Sequence, residues 1–279
     1  MDVRKKAGIV CCSNGQLREY EAQNHFLAQV LLSLGYQVQF SSCIYANNGK
    51  LCGSAKERAN ALMDFYKDDS IQVIFDISGG DVANEILDYL DFGLIAKSQK
   101  QLWGYSDLTT VLNAIYTKTG NSSVLYQIKN LVYDHAAQQQ RRFAQGRCGP
   151  LFDFSYRFVQ GNQMEGVIVG GNTRCFLKLA GTAYFPDVSG KLLLLEALGG
   201  EVPQVITYFS QLKQMGVFDK ISGVILGTFT KMEQLNCRPS VRELLLSYVG
   251  SHLPVIQTNE IGHGTDSKAI VIGSYRKFE

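Results

Sequence analysis

The feature that most narrows the fold is a strict alternation of short apolar runs with helical periodicity over the first 120 residues. Strands are expected at 7–12, 36–40, 71–77 and 101–103, and helices at 17–34, 55–67, 82–90 and 107–119. Parallel strands cannot be joined by a tight hairpin, so four strand–helix units in a row specify a parallel sheet with helices on its faces. In the first helix Leu17, Tyr20, Leu27, Val30, Leu31 and Leu34 fall on one stripe, with Asn24 and His25 off it, and Gly35 ends it. Ligands of such sheets gather at the carboxyl ends of the strands. Two turns fall there, Ser78-Gly79-Gly80-Asp81 after the third strand and Gly104-Tyr105-Ser106-Asp107 after the fourth.

The second turn places a serine where a strand gives way to a helix. A hydroxyl at such a turn projects off the sheet, and the first N–H groups of the helix lack partners within it, so they are free to stabilise an oxyanion. The helix itself is well marked, with Asp107 as a candidate cap, Leu108, Val111, Leu112, Ile115 and Tyr116 at helical spacing, and Gly120 as the stop. Ser106 is therefore either a nucleophile or an ordinary N-cap, and Leu108 stands where a nucleophile elbow carries its second glycine. Gly79-Gly80 likewise reads either as close backbone approach to a ligand or as a tight turn.

At 279 residues the chain suits two domains. The periodicity fades after about residue 121. A polar segment around Asp134–Arg142, then Gly146, Gly149 and Pro150, reads as an exposed helix and a linker over 131–165, with His135 solvated. The boundaries expected are 1–130 for the first domain and 166–279 for a smaller, mixed α/β second domain. Its strands are expected near 152–159, 166–169, 191–196, 221–227, 254–258 and 268–275, with helices near 172–180, 203–215 and 240–249. There Lys191–Glu196 is a buried strand ending on a carboxylate, which needs a partner. Gly262-His263-Gly264 holds a histidine in a loop with room to reach across a cleft, whereas His252 sits on a helix end.

A net charge of +2 on 52 charged side chains, without a block of one sign, implies neither a nucleic-acid surface nor a membrane patch. No apolar run reaches the roughly 18 residues of a membrane span, and the opening residues lead into a strand rather than a signal-peptide core, so the expected location is cytoplasmic. Seven cysteines without a C-x-x-C pair disfavour a disulfide framework and a zinc site and read as small buried apolar residues, and no metal is expected. Cys11 and Cys12, ending the first strand, lack a histidine nearby in sequence.

Serine, acid and histidine thus occur in the order Ser106, Glu196, His263, the types a hydroxyl nucleophile requires as its base and the base's orienting acid. Several pieces of the chain, in order, resemble the serine LD-carboxypeptidases and their microcin C immunity relatives. They are Gly104–Thr109, Gly79-Gly80 with Leu87–Asp91, Gly170-Gly171-Asn172, Gly181–Asp187, Leu194–Glu196, Gly216–Lys220, Gly223–Gly227 and Gly262–Gly264. The resemblance implies a cytoplasmic serine peptidase, cofactor-free and paired as a homodimer, acting on a small peptide or peptide-like substrate. It implies Ser106 as nucleophile, His263 as base and Glu196 as acid, with an oxyanion hole from the backbone N–H groups of Gly80 and Asp107. An LD-carboxypeptidase acting on muropeptide-type peptides is the leading expectation. A hydrolase of aminoacyl-nucleotide amides, or a non-catalytic small-molecule binding protein on the same scaffold, is the alternative.

The chain departs from the family at Ser78, where an arginine is frequent, at Asp81, where an aromatic residue is usual, and at Ala197, where an acid often follows the glutamate. Gly79 and Asp81 are the expected substrate-binding residues. Asp81 is expected either to cap helix 82–90 or, facing the substrate, to favour an ammonium group; Asp76 is the next candidate should Glu196 not be the acid.

Overall fold

The computed structural model describes residues 5–47, 49–146 and 149–279, so Cys148 lies outside the described residues. In the first half the elements are β1 (Lys5–Val10), α1 (Glu21–Ser33), β2 (Tyr36–Phe40), α2 (Ala55–Lys67), β3 (Ile71–Asp76), α3 (Phe92–Lys97), β4 (Gln101–Gly104), α4 (Thr109–Thr119) and β5 (Ser123–Leu125). Then come α5 (Ala136–Ala144), β6 (Arg157–Gln160), β7 (Met164–Asn172), α6 (Thr173–Leu177), β8 (Leu192–Ala197), α7 (Val202–Gln214) and β9 (Gly223–Phe229). The chain closes with α8 (Thr230–Gln234), α9 (Val241–Tyr248), β10 (Val255–Gln257), β11 (Ile270–Ile272) and β12 (Tyr275–Phe278).

The alternation produces the expected α/β architecture. One sheet runs β11-β5-β4-β3-β1-β2, with β1 to β5 parallel and β11 antiparallel at the edge. Its order reverses between β1 and β3, and the loops leaving these strands diverge to open a crevice at their carboxyl ends. The second sheet runs β12-β7-β8-β9-β10-β6, with four parallel strands between antiparallel edges. Its central strands are buried on both faces, which is why Leu192–Leu195 reads as a continuous apolar run.

Several expectations are corrected. Segment 131–165 is not a linker: α5 docks on the first sheet through buried Phe143, whose ring lies 5.6 Å from that of Trp103, and β6 is an edge strand of the second sheet. The strand expected at 268–275 is two strands, β11 in the first sheet and β12 in the second. β5, three residues long, was not anticipated. Leu17 and Tyr20 precede α1 and are exposed, whereas Asn24 is buried, so the stripe of α1 is set by where the helix begins. Residues Ala83–Tyr89 form a 3-10 helix whose N-cap is Val82, without a side-chain cap.

The halves meet behind the Ser106 turn. Asn113 of α4 exchanges two hydrogen bonds with Gly170 of β7, its Nδ2 donating to the carbonyl at 2.8 Å and its Oδ1 accepting from the N–H at 2.9 Å. Thr109 Oγ1 accepts from the Asn172 N–H at 3.0 Å. No helix among the described residues is long and apolar enough to cross a membrane.

Candidate active site

After β4, Tyr105 is extended and Ser106 turns abruptly to φ 53° before the 3-10 turn Ser106–Leu108 leads into α4. A left-handed conformation costs a residue with a Cβ about 1–2 kcal/mol, a strain concentrated at functional sites. Leu108 is fully buried, and a Cβ on Gly104 would lie 2.8 Å from that of Leu108, so leucine and glycine together close this turn without the second elbow glycine. Asp107 does not cap α4, contrary to expectation. Its carboxylate is buried and accepts from Ser13 Oγ at 2.7 Å, the Ala83 N–H at 2.8 Å and Lys178 Nζ at 2.5 Å. Burial works against the charge, but the Lys178 ammonium and these donors prevail and hold the Asp107 carboxyl below the usual carboxylate range.

Glu196 enters from the other half, on β8 where the pairing with β9 slips register. It is fully buried. His263 is carried by a loop passing so close to β9 that a Cβ on Gly262 would overlap Thr228 Oγ1, at 1.7 Å, while the Ile261 carbonyl accepts from the Thr228 N–H at 2.9 Å. Only glycine lets the loop run there. His263 Nδ1 and Glu196 Oε2 are 2.7 Å apart. A carboxylate only accepts, so Nδ1 carries the proton and Nε2 presents a lone pair. Nε2 is buried with no partner, as is Glu196 Oε1.

Tyr105 completes this group. Its hydroxyl donates to Glu196 Oε2 at 3.2 Å, and its ring lies edge-on to the imidazole, centroids 4.7 Å apart. The hydroxyl oxygen is also 3.4 Å from His263 Nδ1, a long contact in which it accepts a share of the Nδ1 proton that Glu196 holds at 2.7 Å. Burial first, and then the Glu196 charge, push the Tyr105 phenol well above its usual range, so it stays a donor. The residue preceding the serine thus binds the acid.

The glycine turn is held from three sides. The Asn14 N–H donates to the Gly79 carbonyl at 3.1 Å, which fixes the peptide plane that carries the Gly80 N–H. Gly80 has φ 130°, and a Cβ there would lie 2.3 Å from the Asn14 side chain. Arg174 of α6 donates to the Gly80 carbonyl at 3.0 Å and to Asp81 Oδ1 at 2.5 Å, and Lys178 Nζ donates to the Asp81 carbonyl at 2.7 Å. Asp81 is therefore neither a helix cap nor an unpaired charge at the mouth: Arg174 neutralises it. Ser78 points inward and donates to Asp76 Oδ1 at 2.6 Å. Asp76 also accepts from the Cys12 N–H at 2.7 Å, and burial pushes its carboxyl up to about 6 against these hydrogen bonds.

Glu196 and His263 are thus paired, the Tyr105 hydroxyl ties the residue before Ser106 to Glu196, and Lys178 ties Asp107, the residue after it, to the Asp81 carbonyl that follows the Gly79-Gly80 turn. Cys11 and Cys12 do not join them: both are fully buried, and burial raises their thiols well above the usual range. His135 bonds Thr265 Oγ1 at 2.9 Å instead. Among the described residues no group of histidine, cysteine and carboxylate side chains is placed to hold a metal ion. Sequence reasoning assigned no role to Tyr105, Asn14, Arg174 or Lys178. Tyr105 was visible beside the serine, and Arg174 and Lys178 stand one helical turn apart after Gly170-Gly171-Asn172, but nothing local names their partners.

Comparison with known proteins agrees with this placement of elements. A family model described as the LD-carboxypeptidase N-terminal domain matches residues 7–126, and one described as the C-terminal domain matches residues 165–277. A probable murein peptide carboxypeptidase of Bacillus subtilis is 30% identical over 263 residues, covering 88% of this chain and 80% of that protein. The microcin C7 self-immunity protein MccF of Escherichia coli is 26% identical over 250 residues, covering 76% of this chain and 72% of that protein. A solved structure of MccF in complex with glutamyl sulfamoyl guanosine shares the fold with a TM-score of 0.87 at 20% identity, covering 99% of this chain and 93% of that one. Two matched domains in order, together with a relative aligned over most of its length, make this chain a member of the LD-carboxypeptidase family of peptidase-type hydrolases.

Proposed function

We propose that the chain is a serine carboxypeptidase that hydrolyses an amide bond through Ser106, His263 and Glu196, and that its substrate is a muropeptide-type peptide from which it releases a terminal D-residue. The observation that supports this reading is the His263–Glu196 pair, 2.7 Å apart, with Nε2 left without a partner and Glu196 bound by the Tyr105 hydroxyl, next in the chain to a serine held in a left-handed conformation. The proton on Nδ1 leaves Nε2 as the base for the Ser106 hydroxyl. Attack on the scissile carbonyl forms a tetrahedral intermediate whose oxyanion accepts from the N–H groups of Gly80 and Asp107. The imidazolium, facing Glu196, then protonates the leaving amine, and water hydrolyses the acyl-enzyme by the same steps in reverse. The murein peptide carboxypeptidase name borne by the Bacillus subtilis relative supports a peptide over an aminoacyl-nucleotide amide. Pairing of two copies belongs to the same reading, and light scattering of the purified chain checks it.

The test is a fluorophosphonate probe together with Ser106→Ala. The wild type is expected to be labelled at Ser106, and Ser106→Ala to lose on the order of 10⁶ in kcat on an L,D-linked tetrapeptide. Retention of more than about a hundredth of wild-type turnover would remove Ser106 from the role of nucleophile. Faster cleavage of an aminoacyl sulfamoyl nucleoside than of the tetrapeptide would reassign the substrate class.

A further inference from the structure

The Asp81–Arg174 pair has a consequence for what leaves the site. Arg174 donates one hydrogen bond from each terminal nitrogen, to Asp81 Oδ1 and to the Gly80 carbonyl. A guanidinium has five N–H donors, so three remain. The side chain is 41% exposed, so the guanidinium is reachable from solvent without having to be uncovered. Asp81 is 68% exposed, and a pair that open to water holds the guanidinium in place without exhausting its charge.

The position matters as much as the charge. Arg174 grips the peptide between Gly80 and Asp81, next to the peptide whose N–H is assigned to the oxyanion. The guanidinium thus stands about one residue from where the scissile carbonyl would sit. In a substrate whose leaving group is a single residue, the free carboxylate carbon lies within roughly 4 Å of the scissile carbon. An internal peptide bond has an uncharged carbonyl there. Planar, bidentate donors suit a carboxylate; of the two cations on the glycine turn, Lys178 is 19% exposed and committed to Asp107 and the Asp81 carbonyl, whereas Arg174 is 41% exposed.

We infer that Arg174 recognises the free α-carboxylate of the departing residue and so restricts the site to the last bond of a peptide. The inference rests on the carboxypeptidase reading above. Asp81 then positions the guanidinium, the opposite of a receptor for a substrate ammonium.

The experiment compares a tetrapeptide ending in D-alanine with the same peptide ending in D-alaninamide, on the wild type, Arg174→Ala and Arg174→Lys. The wild type is expected to prefer the acid by on the order of 10² in kcat/KM, the scale of hydrogen bonds to a charged group. In Arg174→Ala that ratio should collapse towards one, mostly through KM for the acid, and Arg174→Lys should restore part of it. Melting curves of the variants verify that they are folded. A ratio unchanged in folded Arg174→Ala overturns the assignment, as does an equal fall on both substrates, which would make Arg174 a support of the turn alone. Hydrolysis of neither peptide by the wild type would overturn the carboxypeptidase reading itself, and the inference with it.

Discussion

Two buried carboxylates occupy matching places in the two sheets, and their surroundings differ in an instructive way. Asp76 ends β3 and Glu196 lies one residue before the end of β8; both are essentially inaccessible. Asp76 spends both oxygens on neighbouring loops, accepting from Ser78 N–H and Oγ and from the Cys12 N–H. Glu196 puts one oxygen on Tyr105 and His263, which come from two distant segments, and leaves the other without a partner. The carboxylate that builds the turn is closed on both oxygens, by Ser78 two residues on and by the Cys12 N–H of the adjoining loop. The one available for chemistry is held by side chains that tertiary folding must deliver, and it keeps an unsatisfied atom that a purely structural role would not tolerate.

Replacing each acid by its amide breaks the comparison most directly. Glu196→Gln should lower kcat by on the order of 10⁴, because the amide no longer holds the Nδ1 proton and cannot stabilise the imidazolium. Steady-state kinetics on the tetrapeptide measures this, and near wild-type turnover would move the acid elsewhere. Asp76→Asn should instead show itself in stability against pH. The Asp76 carboxyl rises from 3.8 to about 6 on folding. Between those values the folded state binds the extra proton, so the stability it contributes is complete below about 4 and is lost as pH rises through 6. That shift corresponds to about 3 kcal/mol. Denaturant unfolding of the wild type at pH 4 to 7 should carry this decline, and the difference between wild type and Asp76→Asn should flatten above it. A difference independent of pH would show that Asp76 does not titrate in that window.

The smallest effect sharpens the contrast within the Glu196 cluster. Tyr105→Phe removes a donor from Oε2 while keeping the ring beside the imidazole. Glu196 then holds the imidazole with one partner fewer. The value of kcat/KM should fall by about tenfold, the worth of one hydrogen bond to a charged group. Unchanged kinetics in Tyr105→Phe would reduce Tyr105 to packing.

What could be read in the sequence is what local periodicity encodes. The run of strand–helix units determined the parallel core β1 to β4, because crossover helices with one apolar face permit no other pairing of buried parallel strands. Ser106 at a strand–helix turn, Glu196 at the end of Leu192–Leu195, and His263 between two glycines were marked by the same means. Tertiary structure alone decided the rest. β5 is too short to show a period, and α5, expected as an exposed helix, docks through only Phe143 and Gln139, too few apolar positions to mark a buried face. The split of 268–275 between sheets depends on edges that other segments leave open. Asp81 and Asp107 found Arg174 and Lys178 rather than helix ends because an ion pair answers to proximity across 93 and 71 residues of chain, a distance along which no pattern of neighbours carries information.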